Sequence, residues 1–215
     1  MTEEIKINVL RPFGPSVAKI SMPEELINIL NSYVDKTILD IEKLDELDHG
    51  SKLAGNVKQE FRLEKNFIEE SGLLKFLAFC TTNWIKFSDQ KEIKKFEVLD
   101  SWIVRQFKNE YNPIHYHSGH ISGVGYLKVP KNFGESHQPS KKTNLNGHIA
   151  LLHGNRMFNS KSMLNIKPVV GDFYIFPNYL MHTVYPFSRS DEERRSISFN
   201  AVIDEETYNV YGSKK

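Results

Sequence analysis

YNPIHYHSGHISGVGYLKVP, residues 111 to 130, places two histidines just before an apolar run that is spaced by glycines. His115 and His117 are separated by a single residue. Because residues i and i+2 of an extended strand point to the same side, both imidazoles are expected to face one side of a sheet. The spacing therefore predicts that the two rings lie close enough to share a metal ion.

The composition is that of a folding globular chain. The sequence has 215 residues, 40% of them hydrophobic, which is enough for one sizeable core. It carries 28 Lys and Arg against 27 Asp and Glu, so no strong field favours nucleic acid or an anionic membrane as the main partner. The single cysteine, Cys80, excludes an internal disulfide and a cysteine-rich zinc site, and we expect it to be a small buried hydrophobe.

The N-terminal sequence MTEEIKINVL has neither the basic region nor the apolar run of a signal peptide. No apolar run approaches the roughly 20 residues of a membrane span. The expectation is a soluble cytoplasmic protein in a reducing compartment, with no membrane partner.

The first part of the chain, residues 1–95, is predicted to be a helical support region. Ser21 and Glu24 have the spacing of a capping box, and apolar residues at helical spacing follow as far as Ile38. Residues 5–20, with two prolines and a glycine, indicate an irregular strand and turn.

Two further segments complete this region. Residues 66–87 carry an apolar stripe at helical spacing and predict a second helix, which Gly72 weakens. Residues 40–60 are polar and charged, and they predict a surface loop in which His49 is solvated.

The character of the sequence changes after residue 95. Short apolar runs recur between Gly, Pro and Asn without a helical period, and they predict a barrel or a sandwich within one integrated domain. Residues 131–146, with His137, and residues 154–171 are predicted to be polar loops, where functional groups tend to lie. The predicted strands are 96–107, 121–129, 148–153, 172–176, 180–185 and 195–203.

His182 is a third candidate metal ligand. It lies in the run LMHTVY, where Leu180, His182 and Val184 would share one face of a strand. A lone histidine in an apolar strand is usually a core residue, but beside an H-x-H pair three imidazoles could occupy one face of a metal ion. Three protein ligands leave coordination positions open for substrate.

Arg195 is a fourth candidate. It begins the run RSISFNAVI, in which Arg195, Ile197 and Phe199 would share a face. Two interpretations stay open from the pattern: a surface residue, like its neighbour Arg194, or a bidentate contact with a carboxylate inside a barrel.

Tyr126 shares a strand face with Ser122 and Val124. Its hydroxyl could reach the carboxylate of a ligand, and Ser122 is grouped with it as a cofactor-binding candidate. The alternative for Tyr126 is a core tyrosine whose hydroxyl is satisfied by the protein.

The order of these motifs resembles the Fe(II)/2-oxoglutarate-dependent oxygenases, and most of all their prolyl-hydroxylase-like branch. The resemblance covers roughly residues 98–203. Its pieces, in order, are H-x-H, SGVGYL, GHIAL, P-x-x-G-D-x-x-x-F-P-x-x-x-x-H-x-V-x-P and RSISFN. The most specific part is FPNYLMHTVYPF followed by RRSISFN.

The resemblance implies a double-stranded β-helix, a jelly-roll (cupin-like) barrel with supporting helices packed on one sheet. It implies that His115 and His117 stand at the H-x-D/E pair of the family and that His182 is its distal histidine. Arg195 falls on the residue that binds the far carboxylate of 2-oxoglutarate. Tyr126 falls on a residue that hydrogen-bonds the same carboxylate, and Val184 would line the pocket.

One departure concerns His117, which stands where the family has a carboxylate. The site would hold three histidines, or two histidines and an acid from elsewhere in the chain. Asp172 and Glu110 are candidates for that acid, and His120 is an alternative to His117 as a ligand. A neutral third ligand is expected to weaken retention of Fe(II) somewhat without preventing chelation of 2-oxoglutarate.

The implied activity is hydroxylation of an unactivated C–H bond, with Fe(II) as the metal, 2-oxoglutarate and O2 as co-substrates, and succinate and CO2 as products. A prolyl or other peptide side chain is the substrate that the branch suggests. Two alternatives remain: a cupin-like enzyme with three histidines that does not use 2-oxoglutarate, and a non-catalytic jelly roll that binds a peptide or a sugar.

Overall fold

The computed structural model describes residues 14–136 and 140–209, and ten strands in these segments form two antiparallel sheets. The strands are β1 (Ala18–Ser21), β2 (Gln59–Arg62), β3 (Phe96–Gln106), β4 (Asn112–His115), β5 (Ile121–Lys128), β6 (Ile149–Leu152), β7 (Met163–Ile166), β8 (Asp172–Pro177), β9 (Met181–Val184) and β10 (Arg194–Ile203). The main sheet has the order β1-β8-β5-β10-β3-β2, and the minor sheet has the order β4-β9-β6-β7.

Helices cover one face of the main sheet. Leu26 and Leu30 of the first helix and Leu77 of the fourth are buried in one cluster with Ile197 and Phe199 of β10. The apolar residues of a surface helix form a stripe at helical spacing, and here that stripe packs on the sheet. The helices are α1 (Glu24–Thr37), α2 (Ile41–Glu46), α3 (Lys65–Glu70), α4 (Leu73–Asp89) and α5 (Glu205–Tyr208).

The other face of the main sheet packs against the minor sheet. Val124 and Tyr126 of β5 lie in a second buried cluster with Ile149 of β6, Ile166 of β7 and Val184 of β9. Strands alternate their side chains between two faces, so β5 and β8 each contribute to both cores. The predicted mainly β architecture, with helices packed on one sheet, is confirmed.

The N-terminal region contributes more than helices. Its strands β1 and β2 form the two edges of the main sheet, paired with β8 and β3. The support region at 1–95 therefore shares a sheet with the rest of the chain, and its boundary and the single integrated domain stay predictions.

The capping box predicted at Ser21 is wrong. Ser21 is the last residue of β1, where it pairs with Asp172, and Pro23 occupies the N-cap position of α1 without a side-chain cap. Glu24 is therefore the first residue of the helix rather than its third. Ser21, which the local spacing assigned to the helix, instead pairs with a neighbouring strand as part of β1.

The prediction of a surface loop over residues 40–60 is also wrong. This segment contains α2, a short 3-10 helix at Gly50–Lys52 and the start of β2. His49 is buried rather than solvated, and its backbone N–H donates to the carbonyl of Glu60 at 2.8 Å. The segment is ordered by pairing with β3, a contact between residues distant in sequence.

Two smaller differences concern element boundaries. The helix predicted at 66–87 is two helices, α3 and α4, because the backbone at Gly72 has φ +83° and interrupts the helix. The loop predicted at 154–171 contains β7. Residues 5–13 of the predicted strand and turn, and His137 of the predicted loop at 131–146, lie outside the described residues.

Within the described segments, no helix is both long enough and apolar enough to span a membrane.

Candidate functional site

Three imidazoles converge on the inner face of the minor sheet. His115 ends β4 and lies directly opposite His182 of β9 in the antiparallel pairing. His117 follows two residues after His115. One ring nitrogen from each of the three histidines lies within 4.8 Å of the other two. Residues that are 65 or more positions apart thus meet at one point, as the sequence predicts.

Backbone hydrogen bonds fix the orientation of two of these rings. The Nδ1 atoms of His115 and His182 lie 2.7 and 2.9 Å from the carbonyl oxygens of Pro113 and Leu180. A carbonyl can only accept, so Nδ1 carries the proton and the lone pair is on Nε2. The Nε2 atoms of His117 and His182 are 3.1 Å apart. Metal–imidazole bonds of about 2.1 Å at right angles would place two nitrogens about 3 Å apart.

Burial keeps the three rings neutral. Together with charge repulsion from the neighbouring His182 and His115, it lowers the pKa of His117 to about 3. Burial likewise lowers the pKa of His182 to about 4, and it also lowers the pKa of His115. Neutral imidazole is the form that binds a metal, so the site is ready for a cation at neutral pH.

The histidines line a cavity between the two sheets, and its other walls are mostly apolar. Trp102 of β3 and Phe176 of β8 lie against the imidazoles, with ring centroids 5.5 Å from His117 and 5.3 Å from His182. Val184 also lines the cavity. Walls of this kind exclude water and strengthen electrostatic interactions inside.

Arg194 is the arginine that faces this cavity. Its side chain is only 1% exposed, and its guanidinium carbon lies 5.0 Å from the ring centroid of Tyr126. Its Nε and Nη2 atoms have no hydrogen-bond partner in the described part of the chain, and neither has the Tyr126 hydroxyl. A buried polar group normally has a partner. The two groups do act on each other, because the Arg194 charge lowers the pKa of Tyr126 against the larger effect of burial, but these three atoms remain available to hydrogen-bond a ligand.

The prediction that Arg195 faces the cavity is wrong. Its Nε and Nη2 donate to the two carboxylate oxygens of Glu193 at 2.8 and 3.1 Å, and Nη2 also donates to Asp35 of α1 at 2.7 Å. Arg195 does share a face with Ile197 and Phe199, but that face packs against the helices. A shift of one residue exchanges the two faces of a strand, and the sequence pattern placed the wrong face inward.

The other predicted site residues lie as follows. Tyr126 is fully buried between the sheets beside Arg194. Ser122 is buried on the same strand face, but its Oγ donates to the Asn200 side chain at 2.8 Å, so the protein already satisfies it. The family role of each of these residues stays a prediction.

None of the alternative ligands lies in the cavity. Asp172 forms an ion pair with Lys19 at 2.8 Å on the edge of the main sheet. The carboxylate of Glu110 accepts hydrogen bonds from two backbone N–H groups. His120 accepts the backbone N–H of Ile203 at 3.1 Å and stacks on Tyr208. Each has a structural partner away from the three histidines.

Sequence reasoning missed one acidic residue of the cavity, Glu60 of β2. It is 2% exposed, it lines the cavity, and neither carboxylate oxygen has a hydrogen-bond partner among the described residues. Burial raises its pKa to about 7, and the neighbouring Asn112 amide opposes that shift. Glu60 lies in a polar segment with no strand period, so no sequence signal pointed to it.

Residues 100–200 match a family model described as "Putative 2OG-Fe(II) oxygenase". No curated protein sequence matches the chain. The matched segment includes the three histidines, Tyr126 and both arginines, whereas Glu60 lies before it.

Solved structures share the fold at low sequence identity. A viral collagen prolyl hydroxylase from Paramecium bursaria Chlorella virus-1, in a 2OG complex, has TM-score 0.54 and 15% identity over 86% of this chain and 94% of its own. HygX from Streptomyces hygroscopicus, with nickel and 2-oxoglutarate bound, has TM-score 0.54 and 10% identity over 87% and 81%. A Trichoplax adhaerens prolyl hydroxylase, in complex with a hypoxia inducible factor peptide fragment, has TM-score 0.53 and 12% identity over 92% and 87%. At these identities the likeness concerns the fold alone, and it confirms the predicted double-stranded β-helix.

Proposed function

We propose that the chain is a member of the Fe(II)/2-oxoglutarate-dependent oxygenases, the family whose model matches residues 100–200, and that the cavity between its sheets binds both Fe(II) and 2-oxoglutarate. The enzyme is then a dioxygenase that hydroxylates an unactivated C–H bond. One observation carries the proposal: three neutral imidazoles converge in the same cavity as a buried arginine whose Nε and Nη2 have no partner.

His115, His117 and His182 are the proposed metal ligands. The carbonyls of Pro113 and Leu180 hold two of the rings by Nδ1 and direct Nε2 toward the centre of the cluster. Such contacts fix the tautomer and the direction of a ligand before the metal arrives. Three protein ligands leave positions free for a chelating co-substrate and O2.

Arg194 and Tyr126 are the proposed anchor for 2-oxoglutarate, in place of Arg195. The Nε–H and Nη2–H bonds lie along one edge of a guanidinium and point in the same direction. This edge matches the two oxygens of a carboxylate, and both of its nitrogens lack a partner in Arg194. The Tyr126 hydroxyl, also without a partner, would donate a further hydrogen bond to the same carboxylate.

When bound, iron and 2-oxoglutarate supply the O2-dependent oxidation of the C–H bond, with release of succinate and CO2. The protein positions both groups and excludes water through Trp102, Phe176 and the other apolar walls. We propose a peptide side chain, such as a prolyl group, as the substrate class, because prolyl hydroxylases are among the proteins with this fold. Two earlier expectations stay predictions: that the protein does not bind nucleic acid, and that it is cytoplasmic.

Replacement of a ligand tests the proposal. We expect His182→Ala to abolish succinate release, because two imidazoles retain Fe(II) poorly. His153→Ala removes an exposed histidine away from the cluster and is the matched control, with succinate release close to wild type. Unchanged succinate release from His182→Ala would refute the metal assignment.

The unpartnered Arg194 also separates the proposal from its alternatives. A cupin-like enzyme that does not use 2-oxoglutarate has no need of a buried cation at the end of the cavity. Oxygen consumption by the iron-loaded protein that is independent of 2-oxoglutarate would favour that enzyme. Failure of the anaerobic protein to bind Fe(II) would favour a non-catalytic binding module.

A further inference from the structure

Glu60 is a buried carboxylate without a counter-charge. It is 2% exposed, and both oxygens lack a partner within the described segments. The charged groups that act on its pKa are two other carboxylates, Glu110 and Asp48, and both raise it. An ionised carboxylate is costly to bury unless a cation or hydrogen-bond donors compensate it. The Asn112 amide is one such donor, because it lowers the pKa of Glu60 against the larger effect of burial, and a cation bound in the cavity would stabilise the ionised form further.

The backbone around Glu60 directs the carboxylate to the cavity. In β2, Phe61 points into the helix-covered core, and Glu60, on the opposite face, lines the cavity. A Cβ atom at Gly55 would lie 2.9 Å from Glu60 Oε1 and 2.9 Å from the side-chain nitrogen of Asn112. Asn112 begins β4, the strand that ends at His115. A larger residue at position 55 would therefore displace the Glu60 carboxylate or the Asn112 amide from this arrangement.

The cavity also lacks a negative charge on the side of the metal. The usual set of two histidines and one carboxylate reduces the charge of a divalent ion by one. Three neutral histidines leave the full charge of two uncompensated. An ionised Glu60 in the same cavity would restore the usual balance.

We propose, resting on the proposed function, that Glu60 supplies the negative charge that the three-histidine metal site lacks. It acts from outside the ligand set, because the close group of donor atoms consists of the three histidines without Glu60. Attraction between the carboxylate and the bound divalent ion raises the affinity of the site for metal. Glu60 is thus a positioning and charge-balancing residue rather than a ligand.

Binding of Ni(II), which is stable in air, measures this effect without turnover. Competition with a chelator gives the Kd of the full-length chain, and Glu60→Gln removes the charge while it keeps the shape of the side chain. We expect Glu60→Gln to weaken Ni(II) binding about tenfold. A Kd within twofold of wild type would overturn the proposal and leave a cationic group of the substrate as the partner of Glu60.

His117→Asp provides the sharper comparison, because it returns a carboxylate to the ligand set. In that background the charge of Glu60 is no longer needed, and we expect Glu60→Gln to weaken Ni(II) binding less than threefold. An equal loss in both backgrounds would overturn the charge-balance account.

Two controls keep the test decisive. The metal-free Glu60→Gln protein is expected to unfold at a temperature no lower than wild type, because the variant relieves an unpartnered buried acid. Glu60→Met is a second neutral variant and should weaken Ni(II) binding by a similar factor. If His182→Ala binds Ni(II) as tightly as wild type, the proposed function itself fails. If His182→Ala loses Ni(II) and Glu60→Gln does not, only the role of Glu60 fails.

Discussion

The two faces of strand β10 hold neighbouring arginines in opposite states. On the helix-covered face, Glu193 fills the Nε and Nη2 edge of Arg195 with two hydrogen bonds of 2.8 and 3.1 Å. On the cavity face, the same edge of Arg194 is buried and has no partner among the described residues. A buried arginine thus has two uses here: Arg195 ties α1 to the sheet, and Arg194 is the proposed anchor for a ligand.

Glu193 satisfies the hydrogen-bond donors of the arginines on the helix-covered face. It also accepts a hydrogen bond of 2.6 Å from Arg105 of β3. Burial would raise the pKa of Glu193, but the hydrogen bonds and charges of Arg195 and Arg105 outweigh it and hold the pKa at about 2. An ion pair with this many partners needs nothing from outside the chain, whereas the Nε and Nη2 edge of Arg194 is not paired with an anion among the described residues.

The largest expected difference between the faces is in the requirement for 2-oxoglutarate. Arg194→Met removes a charge-assisted bidentate contact. We expect the 2-oxoglutarate concentration for half-maximal succinate release to rise at least a hundredfold, or about 3 kcal/mol. Arg195→Met is the matched control and should change that concentration less than threefold. The reverse pattern, with the rise in Arg195→Met, would return the anchor to Arg195.

The second difference is in stability. Arg195→Met breaks a buried ion pair but leaves Arg105 to compensate Glu193, so we expect the free energy of unfolding to fall by about 2 kcal/mol. Urea denaturation of metal-free protein measures this change. Arg194→Met should lower the free energy of unfolding by a smaller amount, because it breaks no ion pair within the described chain. Equal losses from the two variants would contradict the comparison.

The pH dependence of stability should separate the faces as well. His117 and His182 have folded pKa values of about 3 and 4, below the unfolded value of about 6.5. Between these values the unfolded chain binds more protons, so their contribution to stability is complete above pH 6.5 and is lost as the pH falls toward 4 and 3. Glu193, with a folded pKa of about 2, loses its contribution only as the pH falls from about 4.5 to 2.

Glu60 changes stability in the opposite direction. Its folded pKa of about 7 lies above its unfolded value, so the folded state gains stability as the pH falls from 7 to about 4.5. We therefore expect the free energy of unfolding of metal-free wild type to fall by about 2–3 kcal/mol between pH 7 and 4.5, and to fall more steeply for Glu60→Gln. Urea denaturation at a series of pH values tests this. A shallower loss in Glu60→Gln would contradict the assigned protonation of Glu60.

The smallest expected effect concerns Ser122, a predicted cofactor-binding residue on the cavity side. Its Oγ donates to Asn200 at 2.8 Å. We expect Ser122→Ala to lower the free energy of unfolding by about 1 kcal/mol and to change the 2-oxoglutarate requirement less than threefold. A tenfold rise in that requirement would mean that Ser122 contacts the co-substrate.

Local rules recovered the histidine cluster and the six strands predicted after residue 95, but not β2, β4 or β7, because the rules depend on a clear apolar pattern along a strand. Side chains two positions apart in an extended segment point to the same side. This is true of His115 and His117, and also of Arg195 and Ile197. The rule gives the members of a face but not the direction in which the face points. At β10 both faces are buried and both begin with an arginine, so only the packed helices decide which arginine enters the cavity.

Glu60 and His49 could not be predicted for a different reason. They lie in a polar segment whose local pattern is that of a loop, and their burial comes from pairing of β2 with β3 more than 40 residues later. The same long-range pairing, at β1, removed Ser21 from the predicted capping box. Tertiary contacts override local patterns at the edges of the sheet, and there the sequence misses a residue of the site.

The most direct test of the account is an anaerobic titration of the wild-type chain with Fe(II) and then with 2-oxoglutarate. Chelation of the co-substrate at the three-histidine site should produce the weak visible charge-transfer band, which saturates at one 2-oxoglutarate per chain. A protein that binds Fe(II) but develops no such band, or that binds no Fe(II), would contradict the assignment of this cavity.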